Sequence, residues 1–456
     1  MQNSCAPYTP RNPRLSDYYR CVEDFFEELE RVHEDRYQSR LGYLRPEIRF
    51  TIFRYLDCGC LQNGFARVRC DDCGHEYLVA FSCKRRHFCP SCHQKRVIEF
   101  GEWFLDDLAV TVPHRHIVFS IPKLIRRCFL YDRKLLADLS RVAWETLKEY
   151  TSTSLSAGNS MPGCACSIQT FGDFLGFNPH CHIIISDGTF DEQGNFHITP
   201  YYDAHALEQL FRHKVLKMLL AKGAISQWHI DLLMSWQHSG FNVHVCEPIA
   251  ADDRNALESL AHYIIRCQFS QERMTYLEQS GTVNYRSKDG HTIKSFTALD
   301  WLALIISHIP RHGEQMVRYY GYYSNAARGK RRKLGLVDAE IPKIAGQESD
   351  SAYRKKCRAN WARLIQKIYE IDPLTCPNCG GTMRVLAFIE EAAVIRKILD
   401  HLGLWDVAKR QPKRGREPPV IAEPALSVVE GEDALLVYAD SQVIEYQEAY
   451  YIPEYL

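Results

Sequence analysis

Between Leu15 and Leu41 the residues Tyr18, Cys21, Phe25, Leu29 and Val32 recur at three- and four-residue intervals, one face of an amphipathic helix. Pro46 can open a second helix running to about Tyr55, because the first helical turn has no use for the amide hydrogen that proline lacks. The pattern then changes character. His116–Ile121 is β-branched and stops at Pro122, which predicts a buried strand. Leu135, Leu136, Leu139, Val142, Ala143 and Leu147 form the apolar stripe of a helix over Asp132–Tyr150. Small residues make Ser152–Pro162 a loop, and strands are predicted at Cys166–Phe171 and His180–Ser186, the second ending at the turn pair Asp187-Gly188.

Helices are predicted over Ala204–Lys222, Ser226–Trp236 and Arg254–Arg266, with a strand at Asn242–Cys246 between the last two. Val283–Arg286 and Thr292–Phe296 read as a hairpin around Lys288-Asp289-Gly290. Thr297 and Asp300 resemble a capping box that opens a helix over Ala298–His308. This irregular alternation from Arg115 to about Ser324 suits an α+β domain. Beyond Leu334, helices at Ala352–Glu370 and Glu391–Leu402 flank a turn at Cys376 and Cys379. From about Arg410 prolines and acids read as a linker and a partly disordered tail. The expected organisation is therefore N-terminal helices (1–57), a cysteine-rich module (58–104), an α+β domain (105–345), a helical region with a Cys-x-x-Cys turn (346–404) and the tail (405–456).

Composition narrows the class. The 456 residues are 46% hydrophobic and 25% charged with zero net charge, so a nucleic-acid partner would have to be held by local basic patches. The sequence has no signal peptide or stretch of about 18 apolar residues, which predicts a cytoplasmic chain without a membrane partner. Eighteen cysteines in that setting point to metal rather than disulfides, and seven of them fall between Cys58 and Cys92. Cys70-Asp-Asp-Cys73 and Cys89-Pro-Ser-Cys92 are expected to close one tetrahedral structural zinc site. Cys58, Cys60 and Cys83, with His75, His87 and His93 nearby, could form a second site or be small core residues. Lys84, Arg85, Arg86, Lys95 and Arg96 surround this module and suit phosphate contacts, or else form a solvated charged face.

Two further segments carry chemistry. In Asn178-Pro179-His180-Cys181-His182 the two histidines are i and i+2 on a strand, so both imidazoles project from one face about 7 Å apart at the backbone. Such a pair can hold a divalent ion, with Gln169 on the neighbouring predicted strand or His244 as third ligand. Arg318-Tyr319-Tyr320-Gly321-Tyr322-Tyr323 places four tyrosines within five residues. If the segment is helical, Tyr319 and Tyr320 share a face with Tyr323. Tyrosine is a nucleophile only with help from a metal, a base or a cation, and an aromatic core or base-stacking platform is the other reading. Arg318, Arg328, Lys330, Arg331, Arg332 and Lys333 could hold a DNA backbone beside it.

Together these residues resemble the HUH-type rolling-circle transposases of insertion-sequence family 91, over about Phe53–Leu402. The resemblance rests on Cys58…Cys70-x-x-Cys73…Cys83…Cys89-Pro-Ser-Cys92, on Val118-Phe-Ser-Ile-Pro122, on Asn178–His182, on the tyrosine segment, and on Leu374-Thr-Cys376-Pro-Asn-Cys379-Gly-Gly381. It implies an HUH palm, a central antiparallel sheet flanked by helices, beside an N-terminal zinc-ribbon-like module and a small C-terminal knuckle. It implies structural zinc, catalytic Mg or Mn, and a 5′-phosphotyrosine formed on single-stranded or hairpin DNA at element ends. Tyr323 fits both a Tyr-x-x-x-Tyr pair with Tyr319 and a Tyr-Gly-x-Tyr pattern with Tyr320, and ranks first as nucleophile. A plasmid replication initiator or relaxase of the same chemistry, and a non-catalytic zinc DNA-binding protein, are the alternatives.

Overall fold

The computed structural model describes residues 13–155, 160–199, 201–236, 238–335 and 375–405. The helix expected at Ala352–Glu370 and the tail lie outside these residues. The described chain begins with α1 (Asp17–Arg36), α2 (Gln38–Leu41), α3 (Pro46–Leu56), β1 (Phe65–Cys70), β2 (Glu76–Ala80) and α4 (Pro90–Trp103). It continues through β3 (His114–Ser120), α5 (Lys123–Tyr131), α6 (Lys134–Leu155), β4 (Gly163–Phe171), β5 (Phe177–Ser186), β6 (Gly188–Phe190) and β7 (Phe196–Ile198). Then come α7 (Ala204–Ala221), α8 (Gln227–Ser235), β8 (Asn242–Ile249), α9 (Arg254–Ile264), β9 (Met274–Leu277), β10 (Thr282–Arg286) and β11 (Ile293–Thr297). The last elements are α10 (Ala298–Ser307), β12 (Val317–Gly321), α11 (Asn325–Lys333), β13 (Met383–Ile389) and α12 (Ala392–His401).

The fold is α+β. Its centre is a five-stranded, wholly antiparallel sheet in the order β12-β4-β5-β3-β8, with β5 in the middle. Alternation sorts the side chains of β5. Cys181, Ile183 and Ile185 face one way and join Ile117, Phe119, Cys166 and Ile168 in a core covered by α5, α6 and α7. Each such buried aliphatic side chain contributes about 1.5–3 kcal/mol. His180, His182 and Ile184 face the other way, where α9, itself packed on α4, covers part of the sheet. The apolar run that flags β5 as a strand therefore anchors it from behind, with the two histidines on its front.

Two other units share chain segments that are far apart. The helices α1–α3 pack with α10 and the strands β9–β11 in a core built around Tyr18, Tyr55, Phe88 and Trp301. The capping expected at Thr297 is present, its hydroxyl accepting the Asp300 amide at 3.1 Å. A three-stranded sheet, β13-β1-β2, joins the cysteine-rich module to residues 383–389, which the sequence reading assigns to a separate region. None of these three ribbon strands is foreseen by the periodicity.

The tyrosine segment departs from expectation. Residues 317–321 form the edge strand β12, not a helix, so Tyr319 and Tyr320 point to opposite faces. Gly321 has φ +57°, and a Cβ there would run into the Pro162 carbonyl and Trp144, so glycine is required where the chain turns back over the sheet.

Candidate metal, nucleophile and DNA sites

The cysteines assemble differently from the expected pairing. Cys70–Cys73 and Cys89–Cys92 do not converge on one another. Cys58, Cys83, Cys89 and Cys92 form one tetrad, with Cys58 Sγ 3.8 Å from Cys89 Sγ and Cys83 Sγ 3.6 Å from Cys92 Sγ. A zinc ion about 2.3 Å from four thiolates sets sulfur–sulfur edges of about 3.8 Å, whereas a disulfide would bring the sulfurs to about 2 Å. The tetrad fits structural zinc. The expected use of Cys89–Cys92 with Cys70–Cys73 fails because Cys89 is the N-cap of α4 and turns into the core beside Cys58. Cys60 is not a ligand; its sulfur accepts from Arg14 at 3.1 Å. His87 and His93 are not ligands either. The His87 amide donates to His93 Nδ1 at 3.1 Å, and His93 Nε2–H donates to the Ile265 carbonyl at 2.7 Å, tying the zinc helix to the end of α9.

The histidine pair is placed as the strand geometry requires. His180 Nε2 and His182 Nε2 approach to 3.1 Å. Two ligands about 2.1 Å from one octahedral ion sit about 3 Å apart, so the pair fits a shared divalent cation. Asn178 supplies only a carbonyl to His180 Nδ1 at 2.7 Å, which makes Nδ1 the donor and leaves the Nε2 lone pair facing His182. Burial holds His180 down to about 4 and His182 well below its ordinary value, so both rings are neutral at physiological pH. Gln169 is register partner to His180 and lies on the same face. Its amide donates to the Ile264 carbonyl at 2.9 Å, while its buried Oε1 has no hydrogen-bond partner. That orphaned acceptor beside His180 fits a third ligand. His244 sits two strands from β5, opposite Val118 on β8.

Sequence reasoning missed two residues of this site. His116 Nε2 lies 3.0 Å from His182 Nδ1, and His116 Nδ1 faces Cys246 Sγ at 3.6 Å. With protons on the two Nδ1 atoms, His116 orients His182 and frees its Nε2. Tyr263, on α9, stands edge-on to His182 with ring centroids 5.3 Å apart, and 6.0 Å from the His116 ring. The Arg266 guanidinium lies 4.6 Å and the Lys288 ammonium 5.7 Å from the centre of the Tyr263 ring.

The four clustered tyrosines are divided among different surroundings. Tyr323 is fully buried, and its hydroxyl lies 2.7 Å from His114 Nε2 and accepts the Val110 amide at 3.3 Å. Burial raises its pKa. Its partner His114 lies two rungs along the sheet from His182, so this first-ranked tyrosine is not beside the histidine pair. Tyr320 is on the opposite face from the histidines, stacked on Trp144 and hydrogen-bonded to Ser140 at 2.9 Å. Tyr322 stacks on Phe190. Tyr319 is on the histidine face, one rung off, against Trp103; burial raises it to about 12 against the opposing pull of Arg96 and Arg328.

A cleft of about 460 Å³ runs beside Gln169 and around the edge strand. Arg86 and Arg96 from the zinc module and Arg266 and Arg318 from the sheet domain line it, together with Tyr319. The buried Nε atoms of Arg266 and Arg318 have no hydrogen-bond partner. Its acidic residue, Glu314, is paired with Arg133. The cleft therefore presents a positive wall to an anion. Of the other expected DNA contacts, Lys84, Lys330, Arg332 and Lys333 are exposed and Lys95 is half-buried. Arg85 lies over Phe50, Arg331 binds the Tyr322 carbonyl, and Arg328 lies over Trp103.

Comparison with known proteins gives the family. Residues 163–331 match the model described as "Putative transposase", and residues 29–121 match the "Transposase zinc-binding domain". The chain belongs to the insertion-sequence family 91 transposases. It is 24% identical over 369 residues to the transposase for insertion sequence element IS801 of Pseudomonas savastanoi pv. phaseolicola, covering 75% of this chain and 84% of that one. It is 23% identical over 338 residues to "Putative transposase y4qJ" of Sinorhizobium fredii (strain NBRC 101917 / NGR234), covering 68% and 81%. No solved structure matches. Among the described residues no helix is long and apolar enough to cross a membrane. For this transposase the matched zinc-binding domain ends at residue 121, well before Cys376 and Cys379.

Proposed function

We propose that the protein nicks and rejoins single-stranded DNA at insertion-sequence ends by tyrosine transesterification, with its antiparallel sheet acting as an HUH palm and Tyr263 as nucleophile. The observation that carries this reading is the convergence of His180 Nε2, His182 Nε2 and the Tyr263 ring on one face of one sheet. Bound Mg or Mn would polarise a non-bridging oxygen of the scissile phosphate and offset the charge of the transition state. His180, His182 and Gln169 would hold it, with His116 orienting His182. Arg266 and Lys288, over the Tyr263 ring, would bring positive charge to the phosphate that this tyrosine attacks.

In the step, Tyr263 Oη bonds to phosphorus and loses its proton to solvent. The bond from phosphorus to the 3′-oxygen breaks, and that oxygen leaves as a hydroxyl after protonation. The 5′-phosphate stays on the tyrosine as an ester, which a second strand's 3′-hydroxyl can displace to restore the phenol. Arg86, Arg96 and Arg318 hold the strand along the cleft. Tyr319, which lines the cleft from the histidine face, would contact that strand.

The test is incubation of the purified protein with labelled single-stranded element ends and Mn or Mg, followed by denaturing electrophoresis and peptide mapping of the adduct. A nick with a nucleotide adduct on Tyr263 is expected. An adduct on one of the clustered tyrosines, or a nick that leaves no protein attached, overturns the assignment.

A further inference from the structure

Four of the cysteines outside the first tetrad form a second one across the length of the chain. Cys70 Sγ lies 3.5 Å from Cys379 Sγ, and Cys73 Sγ lies 3.5 Å from Cys376 Sγ. The two contributing segments are the same device. Cys70-Asp-Asp-Cys73-Gly74 and Cys376-Pro-Asn-Cys379-Gly380 each end in a glycine with φ near +72° whose amide returns to the first cysteine's carbonyl, at 3.2 and 2.9 Å. Backbone amides of His75, Asn378, Cys379 and Gly381 point at the sulfurs, the pattern that stabilises thiolates at a metal knuckle. The knuckles are also joined directly, by Asn378 to His75 at 3.2 Å and by the Asp71 amide to the Thr382 carbonyl at 3.3 Å.

We propose that Cys70, Cys73, Cys376 and Cys379 hold a second zinc ion that clasps the C-terminal segment onto the N-terminal module. The sulfur spacings are near the tetrahedral edge of about 3.8 Å and far from a disulfide. Such an ion closes a zinc ribbon whose sheet, β13-β1-β2, is itself shared between the two segments, with Val68, Cys70, Cys376, Met383 and Val385 as its small core. The two ions differ in access. Cys73 and Cys379 are exposed, whereas Cys58, Cys83 and Cys89 are buried in the core of α1, α3 and α10. A chelator reaches the clasp first. The inference depends on no catalytic reading.

The experiment counts metal in the full chain. Elemental analysis should give two zinc ions per chain, and the C376S/C379S variant should give one. Transfer to a chromogenic chelator should be biphasic in the unaltered protein, the first ion leaving at least about tenfold faster, and the fast phase should vanish in the variant. If that variant does not fold, the unaltered protein still decides. Iodoacetamide applied after the fast phase should modify Cys70, Cys73, Cys376 and Cys379 and spare Cys58, Cys83, Cys89 and Cys92. One zinc per chain, labelling of the buried set first, or a Cys70–Cys379 disulfide in the native protein overturns the clasp.

Discussion

The ring of Tyr263 stands edge-on to the ring of His182, 5.3 Å between centroids, although it lies 56 positions before the tyrosine cluster and nothing in the local sequence marks it. Helix α9 brings it there through Leu257, Leu260, Ala261 and Ile264, which pack onto the sheet and α4.

Replacing Tyr263 by Phe is therefore expected to remove covalent DNA attachment by at least about 10³-fold, the scale of losing a nucleophile. Tyr323→Phe should cost about 1–3 kcal/mol of stability, since His114 and Val110 lose a buried partner, yet leave the adduct in place. Gel assays of adduct yield, paired with denaturant titrations, check both. Adduct loss in Y323F with unchanged stability would return the nucleophile to the cluster.

His116 acts through His182 and has a different signature. His116→Phe should weaken Mn binding about 10–100-fold, as removal of a ligand's orienting partner does, while strand binding is retained. Cleavage should recover at high Mn concentration. A variant whose Mn dependence matches the unaltered protein would remove His116 from the positioning role.

The arginines of the cleft bind phosphate in this reading, so their loss appears in the salt dependence of binding. Each phosphate contact removed lowers the slope of log K against log salt by about 0.7 for single strands. Arg86→Ala with Arg96→Ala should lower it by up to about 1.4, measured by anisotropy in a His180→Ala background that cannot cleave. An unchanged slope would move the strand elsewhere.

Acid should loosen the fold through histidines that bind no metal. Burial pushes His308 down to about 4, and His114 likewise, from an ordinary 6.5. The unfolded chain binds their protons first as pH falls, so stability is complete above about 6.5 and is lost down to about 4, by up to about 3 kcal/mol for each ring. His308 shows why it stays neutral: Nε2–H donates to the Leu175 carbonyl at 2.9 Å and Nδ1 accepts from Thr170 at 3.0 Å. Urea midpoints at pH 7 and pH 5 measure the effect, and equal midpoints would refute it.

The sheet strands at 114–120 and 177–186 and helices such as 204–221 were readable because their periodicity and their turn residues agree. His180 and His182 were readable because a strand fixes i and i+2 on one face whatever the tertiary context. The tyrosine segment was not, since Tyr319–Tyr323 has no period that separates strand from helix, and the decisive term is the pairing of Val317–Gly321 with β4. The zinc partners were mispaired because spacing alone does not choose among Cys-x-x-Cys units. The residue after each unit does carry the signal. Gly74 and Gly380 mark two matching knuckles, whereas Cys92 is followed by His93 inside a helix. Tyr263 has no local mark, because an amphipathic helix accommodates a tyrosine at its margin without chemistry.

The strand order β13-β1-β2 also sets a clock on synthesis. The two halves of the clasp are separated by 309 positions. At about 5–20 residues per second, the stretch between them takes roughly 15–60 s to emerge. Throughout that time β1 and β2 are a bare two-stranded hairpin, marginal by itself, with the edge of β1 open to any passing strand. A chain cut short before residue 383 keeps that edge permanently, so truncated copies of this transposase should partition to the insoluble fraction even when their five-stranded sheet is entire.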